Sequence, residues 1–331
     1  LLFVGSAVSM LLFFTSSPLI NQYVFKSFDA SSYLFLLAIM IMPYTYFSVM
    51  PEVFRGFQNI KIYSFYRNTS QNLFIFFVLA ISLNLSNITF DPVWVLYAVL
   101  FVVTITMAYQ LYKFLKVREV FLLEKGEYRE KILIYSYPML FTSSMLFMMG
   151  NVDNFMISYY LDEAQVGIYS ACMKLSIIIT FILASVNGFV APKISKAHSN
   201  CDTEQVKQIY RGSVKLVVLT SLPIFILLYS FPEFFLGLFG QEFTKATVTL
   251  LIINAAFLIN ALCGPVAYLL NMTDHQLIFM KILMVGLVIN LILNLLLIPA
   301  YHINGAAIAT FCSMSFWNIG GLIILKKKKI I

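Results

Sequence analysis

The chain has 331 residues, of which 60% are hydrophobic and 11% charged, whereas a soluble domain carries about 25% charged residues. Its net charge of +7 would suggest nucleic acid in a soluble protein. Beside long apolar runs it instead marks membrane orientation and attraction to anionic lipid heads, so nucleic acid is excluded as a partner.

Apolar runs near the roughly 20 residues that a helix needs to cross a bilayer fall at 1–21, 31–54, 70–88 and 92–112. Six more follow at 132–158, 166–190, 213–232, 247–269, 278–299 and 305–325. The first run starts at Leu1 with no initiating Met and no basic flank. It lacks the charged region and cleavage site of a signal peptide, so a chain cut at its front is expected. The stretch 113–131, KFLKVREVFLLEKGEYREK, separates four spans from six. Its Phe114, Val117, Val120 and Phe121 sit at helical spacing, which predicts an amphipathic linker along the inner surface. A second inner loop, 192–212, is too short to be a domain, and Lys326 to Lys329 read as a natural stop after the last helix. The expected fold is an all-α integral membrane protein of ten transmembrane helices: a four-helix part over 1–112, the linker over 113–131 and a six-helix bundle over 132–331.

Charge fixes the orientation. Nineteen of the 22 Lys and Arg residues fall in alternate loops, among them Arg55, Lys61, Arg67, Lys193, Arg211 and Lys281. The opposite loops hold only Lys26 and Lys245, beside acids such as Asp91, Asp162 and Glu233. One side sums to +11 and the other to −4. Basic loops stay in the cytoplasm, so both ends of the chain are expected there. A faint repeat relates Pro43 and the turn RGFQNIK to Pro265 and the turn LNMTDHQ, as parallel repeats do in secondary transporters.

Two full charges lie within spans, Asp153 nine residues before the turn at Asp162 and Lys174 twelve after it. At 1.5 Å per residue they reach depths of about 13 and 18 Å. One reading has them lining a central cavity, paired or presented to a charged substrate or ion. The other makes them a structural pair locking one hairpin, or has Lys174 snorkelling outward. The amides Asn187, Asn254, Asn260, Asn290 and Asn294 recur in apolar surroundings, and each suits either a sugar contact or a bond between helices. Asn290 and Asn294 share one helix face. Pro138, Pro223 and Pro265 fall inside spans and can bend them.

The chain has no GxxxxGK[ST] or GxGxxG motif, so nucleotide and dinucleotide cofactors are not expected. His198, His275 and His302 lack metal-ligand spacing, and Cys172, Cys201, Cys263 and Cys312 give no disulfide framework. No spacing indicates a catalytic set. The 32 Phe and 19 Tyr residues read as lipid-facing bulk and interface belts, with a minority free to stack on sugar rings. Energy, where it is used, comes from an ion gradient, the membrane potential or the substrate's own gradient.

NVDNFMISYYLDEAQVGIYSACMKLSIII at 151–179, FVAPKISKAHSN at 189–200 and FRGFQNIKIYS at 54–64 resemble bacterial lipid-linked oligosaccharide flippases of O-antigen and capsule synthesis. That family lies within the superfamily that also holds multidrug and toxin extruders. The landmarks fall on Asp153, Gly167, Tyr169 and Lys174. The resemblance implies two bundles of six helices, of which ten here would leave the first bundle incomplete. It implies alternating access in the bacterial cytoplasmic membrane, moving an undecaprenyl-diphosphate-linked oligosaccharide from the inner to the outer leaflet. Lys174 would attract the diphosphate or a sugar carboxylate, and Asp153 would moderate it or couple to an ion. Bilayer lipids, a polysaccharide polymerase and chain-length proteins are the implied partners. The rival is an ion-coupled drug or metabolite exporter of the same superfamily. A glycan polymerase would need a large outer loop with acid and base residues, which the short outer loops exclude.

Overall fold

A computed structural model describes residues 2–23, 31–56, 63, 65, 66, 92–118 and 128–331. Every regular element among them is helical. The chain divides into two compact units, Leu1–Lys125 and Gly126–Ile331.

In the first unit, α1 (Leu2–Tyr23) and α3 (Pro92–Arg118) both pack on α2 (Ser31–Gly56). Small and apolar residues fill the seams: Ala38, Phe47 and Phe54 on α2 and Val103 on α3 are buried. Phe14 meets Phe35 edge to face at 6.1 Å. Leu11, Leu12 and Phe101 instead face outward, each more than 60% exposed. Large apolar side chains on the outside suit hydrocarbon as the surrounding solvent. The predicted 70–88 span lies outside the described residues, as does 119–127 of the linker. Residues 113–118 simply continue α3.

The second unit begins with α4 (Tyr128–Tyr160) and α5 (Glu163–Ile177). Asp162 caps α5 by accepting from the Gln165 amide at 2.8 Å, and Glu163 complements the helix dipole. A 3-10 turn, Ile178–Thr180, passes the chain into α6 (Phe181–Ser199). Asp202 then caps α7 (Thr203–Ser230) through Gln205 at 2.8 Å. The loop expected over 192–212 is therefore only a tight turn, and α7 starts ten residues before the predicted 213. Capping and the Glu204–Lys207 pair at 3.0 Å extend the helix beyond its apolar run.

The short α8 (Pro232–Gly237) and a 3-10 segment, Gln241–Ala246, lead into α9 (Thr247–Cys263). Gly264 ends α9 at φ 72°, ψ −150°, a conformation that favours glycine, and α10 (Val266–Met272) follows with Pro265 at its N-cap. Pro265 thus separates two helices rather than bending one, whereas Pro138 and Pro223 lie inside α4 and α7. The last element, α11 (Gln276–Lys327), is broken at His302, φ 53° and ψ −134°. Its arms, 276–301 and 303–327, contain the two final predicted spans.

α11 packs chiefly on α4 and α9, with α10 also against it. Small residues permit close approach: a Cβ at Gly321 would lie 2.5 Å from Val266 Cγ1, and one at Gly305 only 2.3 Å from the Leu297 carbonyl oxygen. Among the described residues six helical stretches are long and apolar enough to cross a membrane: Ser31–Phe54, Leu96–Lys113, Glu163–Ser199, Thr203–Ser230, Gln241–Cys263 and Gln276–Lys327. The chain is an all-α, multi-pass membrane protein. α4, which covers the predicted 132–158 span, carries Thr142, Ser143, Ser144, Asn151, Asp153 and Asn154 among its apolar residues.

Candidate functional site

Asp153 is 2% exposed, deep among helices of the second unit. Its carboxylate accepts at both oxygens. Oδ1 receives the Asn294 amide at 2.7 Å and the Asn290 amide at 3.3 Å. Oδ2 receives the Tyr169 hydroxyl at 2.7 Å and the Thr310 hydroxyl. Tyr169 and Thr310 also approach each other at 3.3 Å, and Ser313 lies 3.4 Å from Asn290. All of these side chains are buried.

Helix geometry explains the convergence. Asp153 and Tyr169 lie nine residues before and seven after Asp162, at similar depth on the α4–α5 hairpin. Asn294 and Thr310 lie eight residues before and eight after the His302 break, so folding the two arms together aligns them. Asn290 and Ser313 repeat that match one turn further on. Four helical segments therefore meet at one carboxylate. Among the described residues, Asn290 Oδ1 and Asn294 Oδ1 are buried there without a hydrogen-bond partner.

Lys174 does not join the cluster. It is exposed on α5, five residues and hence about 140° around the helix from Tyr169. Among the described residues no ion pair links it to Asp153. The pairing of these two charges, open in the sequence, is thus not formed, because the hairpin turns them to different sides.

The remaining amides are dispersed. Asn254 on α9 is buried and its Oδ1 lies 2.7 Å from Ser176 Oγ, tying α9 to α5. Asn187 on α6 is half-buried with an unpartnered Oδ1, and Asn260 is half-buried near the end of α9. Of the seven residues singled out, Asp153, Asn290 and Asn294 come together. Thr310 and Ser313 were missed. Their signal was the mirrored spacing about His302, legible only once the last two spans are taken as a hairpin. Tyr169 appeared only as a family landmark, although its depth matches that of Asp153.

Among the described residues no group of three or more His, Cys, Asp or Glu side chains is placed to hold a metal. The cluster offers one carboxylate, amide oxygens and hydroxyls. It can stabilise a buried negative charge, or share it with a small cation.

Comparison with known proteins agrees with this architecture. Residues 2–198 match the family model "Polysaccharide biosynthesis protein", and residues 138–296 match MatE. The chain is similar to the "Probable low-salt glycan biosynthesis flippase Agl15" of Haloferax volcanii, 23% identical over half of this chain and 35% of that protein. It is also similar to an uncharacterized membrane protein of Methanocaldococcus jannaschii, 28% identical over 60% of this chain and 46% of its relative. The matched region thus spans less than half the length of either relative. Among solved structures, MATE in the bent conformation superposes with a TM-score of 0.81 at 10% identity, covering 99% of this chain and 76% of the other. A MOP superfamily transporter from Pyrococcus furiosus gives 0.77 at 12%, with 99% and 76% covered. These likenesses show a shared fold. The chain belongs to the polysaccharide biosynthesis protein family.

Proposed function

We propose that this chain exports an organic solute by ion-coupled alternating access, as a multidrug or metabolite exporter does, with Asp153 as the seat of the coupling cation. The observation that carries the reading is a buried carboxylate ringed by amides and hydroxyls, with no ion-pair partner among the described residues. A charge inside a membrane is costly and usually marks an ion path. With the two amides turned over to aim their unpartnered oxygens at the carboxylate, Asp153, Thr310, Asn290 and Asn294 supply oxygen donors of the kind hard cations take. The site bridges α4, α5 and both arms of α11. A cation held more tightly in one arrangement of those helices than in another would bias the transport cycle by that difference.

The test is transport of a fluorescent organic cation by the chain in liposomes under a sodium or proton gradient. Gradient-driven movement should vanish in Asp153→Asn while the folded protein persists. Undiminished gradient dependence in that variant would overturn the assignment.

A second reading, transfer of an undecaprenyl-diphosphate-linked oligosaccharide for O-antigen or capsule synthesis, is favoured by the family match over 2–198 and by the name of the Haloferax relative. In it the exposed Lys174, about 17 Å along the Glu163–Ser199 run, attracts the diphosphate or a sugar carboxylate. A polymerase and chain-length proteins are then partners. Restored surface polysaccharide in a flippase-deficient strain, lost again in Lys174→Gln, supports this cargo; unchanged export in Lys174→Gln removes the role given to that residue. Both readings assume the cytoplasmic membrane, both ends cytoplasmic, and a 4+6 arrangement of spans. The charge asymmetry supports that topology.

A further inference from the structure

A groove of about 580 Å³ runs along one face of α7, away from the Asp153 cluster in sequence and with none of its residues. Arg211 and Lys215 stand at one end, and Val218, Leu219, Leu222 and Ile226 continue the same helical stripe. Leu219, Leu222 and Ile226 are 69%, 41% and 53% exposed. No acidic side chain is among the described residues that line it. One turn earlier, Lys207 is held by Glu204 at 3.0 Å, but among the described residues neither Arg211 nor Lys215 has an ion-pair partner. Tyr210, at the basic end, is fixed by a 3.2 Å bond from its hydroxyl to the Cys263 carbonyl.

We propose that this face of α7 is a binding site for an anionic phospholipid, with the headgroup phosphate between Arg211 and Lys215 and one acyl chain along the apolar stripe. Charge complementarity selects the headgroup: two adjacent, unneutralised cations beside a bilayer call for an anion, and arginine's planar fork suits phosphate. Length selects the tail. From Lys215 to Ile226 the helix rises about 17 Å, close to the ~15 Å half-thickness of a hydrocarbon core. The floor therefore reaches about as deep as the tail of a lipid in the leaflet where α7 begins. A partner helix with no acidic residue at that end would cover the apolar stripe yet leave both cations without a counter-charge.

The experiment uses the purified chain in nanodiscs of mixed phosphatidylglycerol and phosphatidylcholine, released for native mass spectrometry. Wild type should retain phosphatidylglycerol over phosphatidylcholine. Arg211→Gln with Lys215→Gln should lower that retention about 30-fold, each cation near a membrane surface contributing about fivefold. Lys207→Gln should leave it unchanged. Equal retention of both lipids by wild type, or of phosphatidylglycerol by the double variant, overturns the proposal. A second readout locates the tail: Leu222→Trp fluorescence should be quenched more by brominated-chain phosphatidylglycerol than by brominated-chain phosphatidylcholine. Equal quenching would mean ordinary bulk lipid on this face and would also overturn it.

Discussion

Replacing Asp153 by Asn and by Ala separates what its charge does from what its shape does. In Asp153→Asn the side-chain oxygen can still accept from Asn290 and Asn294, now 3.3 and 2.7 Å from Oδ1. The new amide can donate to the Tyr169 and Thr310 hydroxyls, which lie 3.3 Å apart and can bond each other. The hydrogen-bond count is kept, and the cost of burying a full charge disappears. Asp153→Ala leaves four donors without their acceptor. At about 0.6 kcal/mol each, the average for bonds between membrane helices, the loss is about 2 kcal/mol. It grows toward about 1–3 kcal/mol for each donor that finds no substitute. Thermal unfolding in detergent should therefore put Asp153→Asn at or above wild type, and Asp153→Ala about 4–8 °C below it. Both should lose gradient-driven transport. If Asn destabilises as much as Ala, the charge holds the four helical segments together and its coupling role loses its basis.

Other perturbations test neighbouring claims. Lys174→Gln should leave the unfolding temperature unchanged, since the side chain is exposed and unpaired among the described residues; a drop would reveal a structural role. Gly264→Ala should destabilise by about 1–3 kcal/mol from backbone strain alone, because its φ is 72°. Its Cβ would also lie 2.6 Å from Val214 Cγ2, so adding Val214→Ala should relieve the clash but leave the strain, a partial rescue visible in denaturant midpoints. His302→Gly should stabilise by up to about 2 kcal/mol, the strain of a positive-φ histidine less the entropy that glycine loses on folding. The shift is read by the same thermal assay.

Most of the helical layout was legible from composition alone. Alternation of apolar runs and basic loops located α1, α2, α3 and the long helices of the second unit, because a bilayer demands both length and internally satisfied backbone. The ends were not legible. α7 gained ten residues from a cap at Asp202 and local charge pairing, which hydropathy does not register. α9 and α10 were read as one 247–269 span because Gly264 is a conformational break, not a polar one.

The site was half legible for a related reason. Asp153 announces itself as a charge where none is cheap, and Asn290 with Asn294 as a polar pair on one face. Lys174 announces itself equally loudly, and sequence distance from the turn gave it a depth near that of Asp153. Depth fixes only one coordinate. The second is rotation about the helix axis, and on α5 it is Tyr169 that turns inward to the carboxylate. Thr310 and Ser313 were quieter still, since hydroxyls are common in membrane helices and often bond their own backbone, as Ser313 does to the Thr310 carbonyl at 3.1 Å. What makes them part of the site is the break at His302, which sets the two arms of α11 antiparallel with Asn294 opposite Thr310. A buried carboxylate in such a protein is therefore best sought with the hairpin turns fixed first. The partners that satisfy it lie at nearly equal distances on either side of those turns.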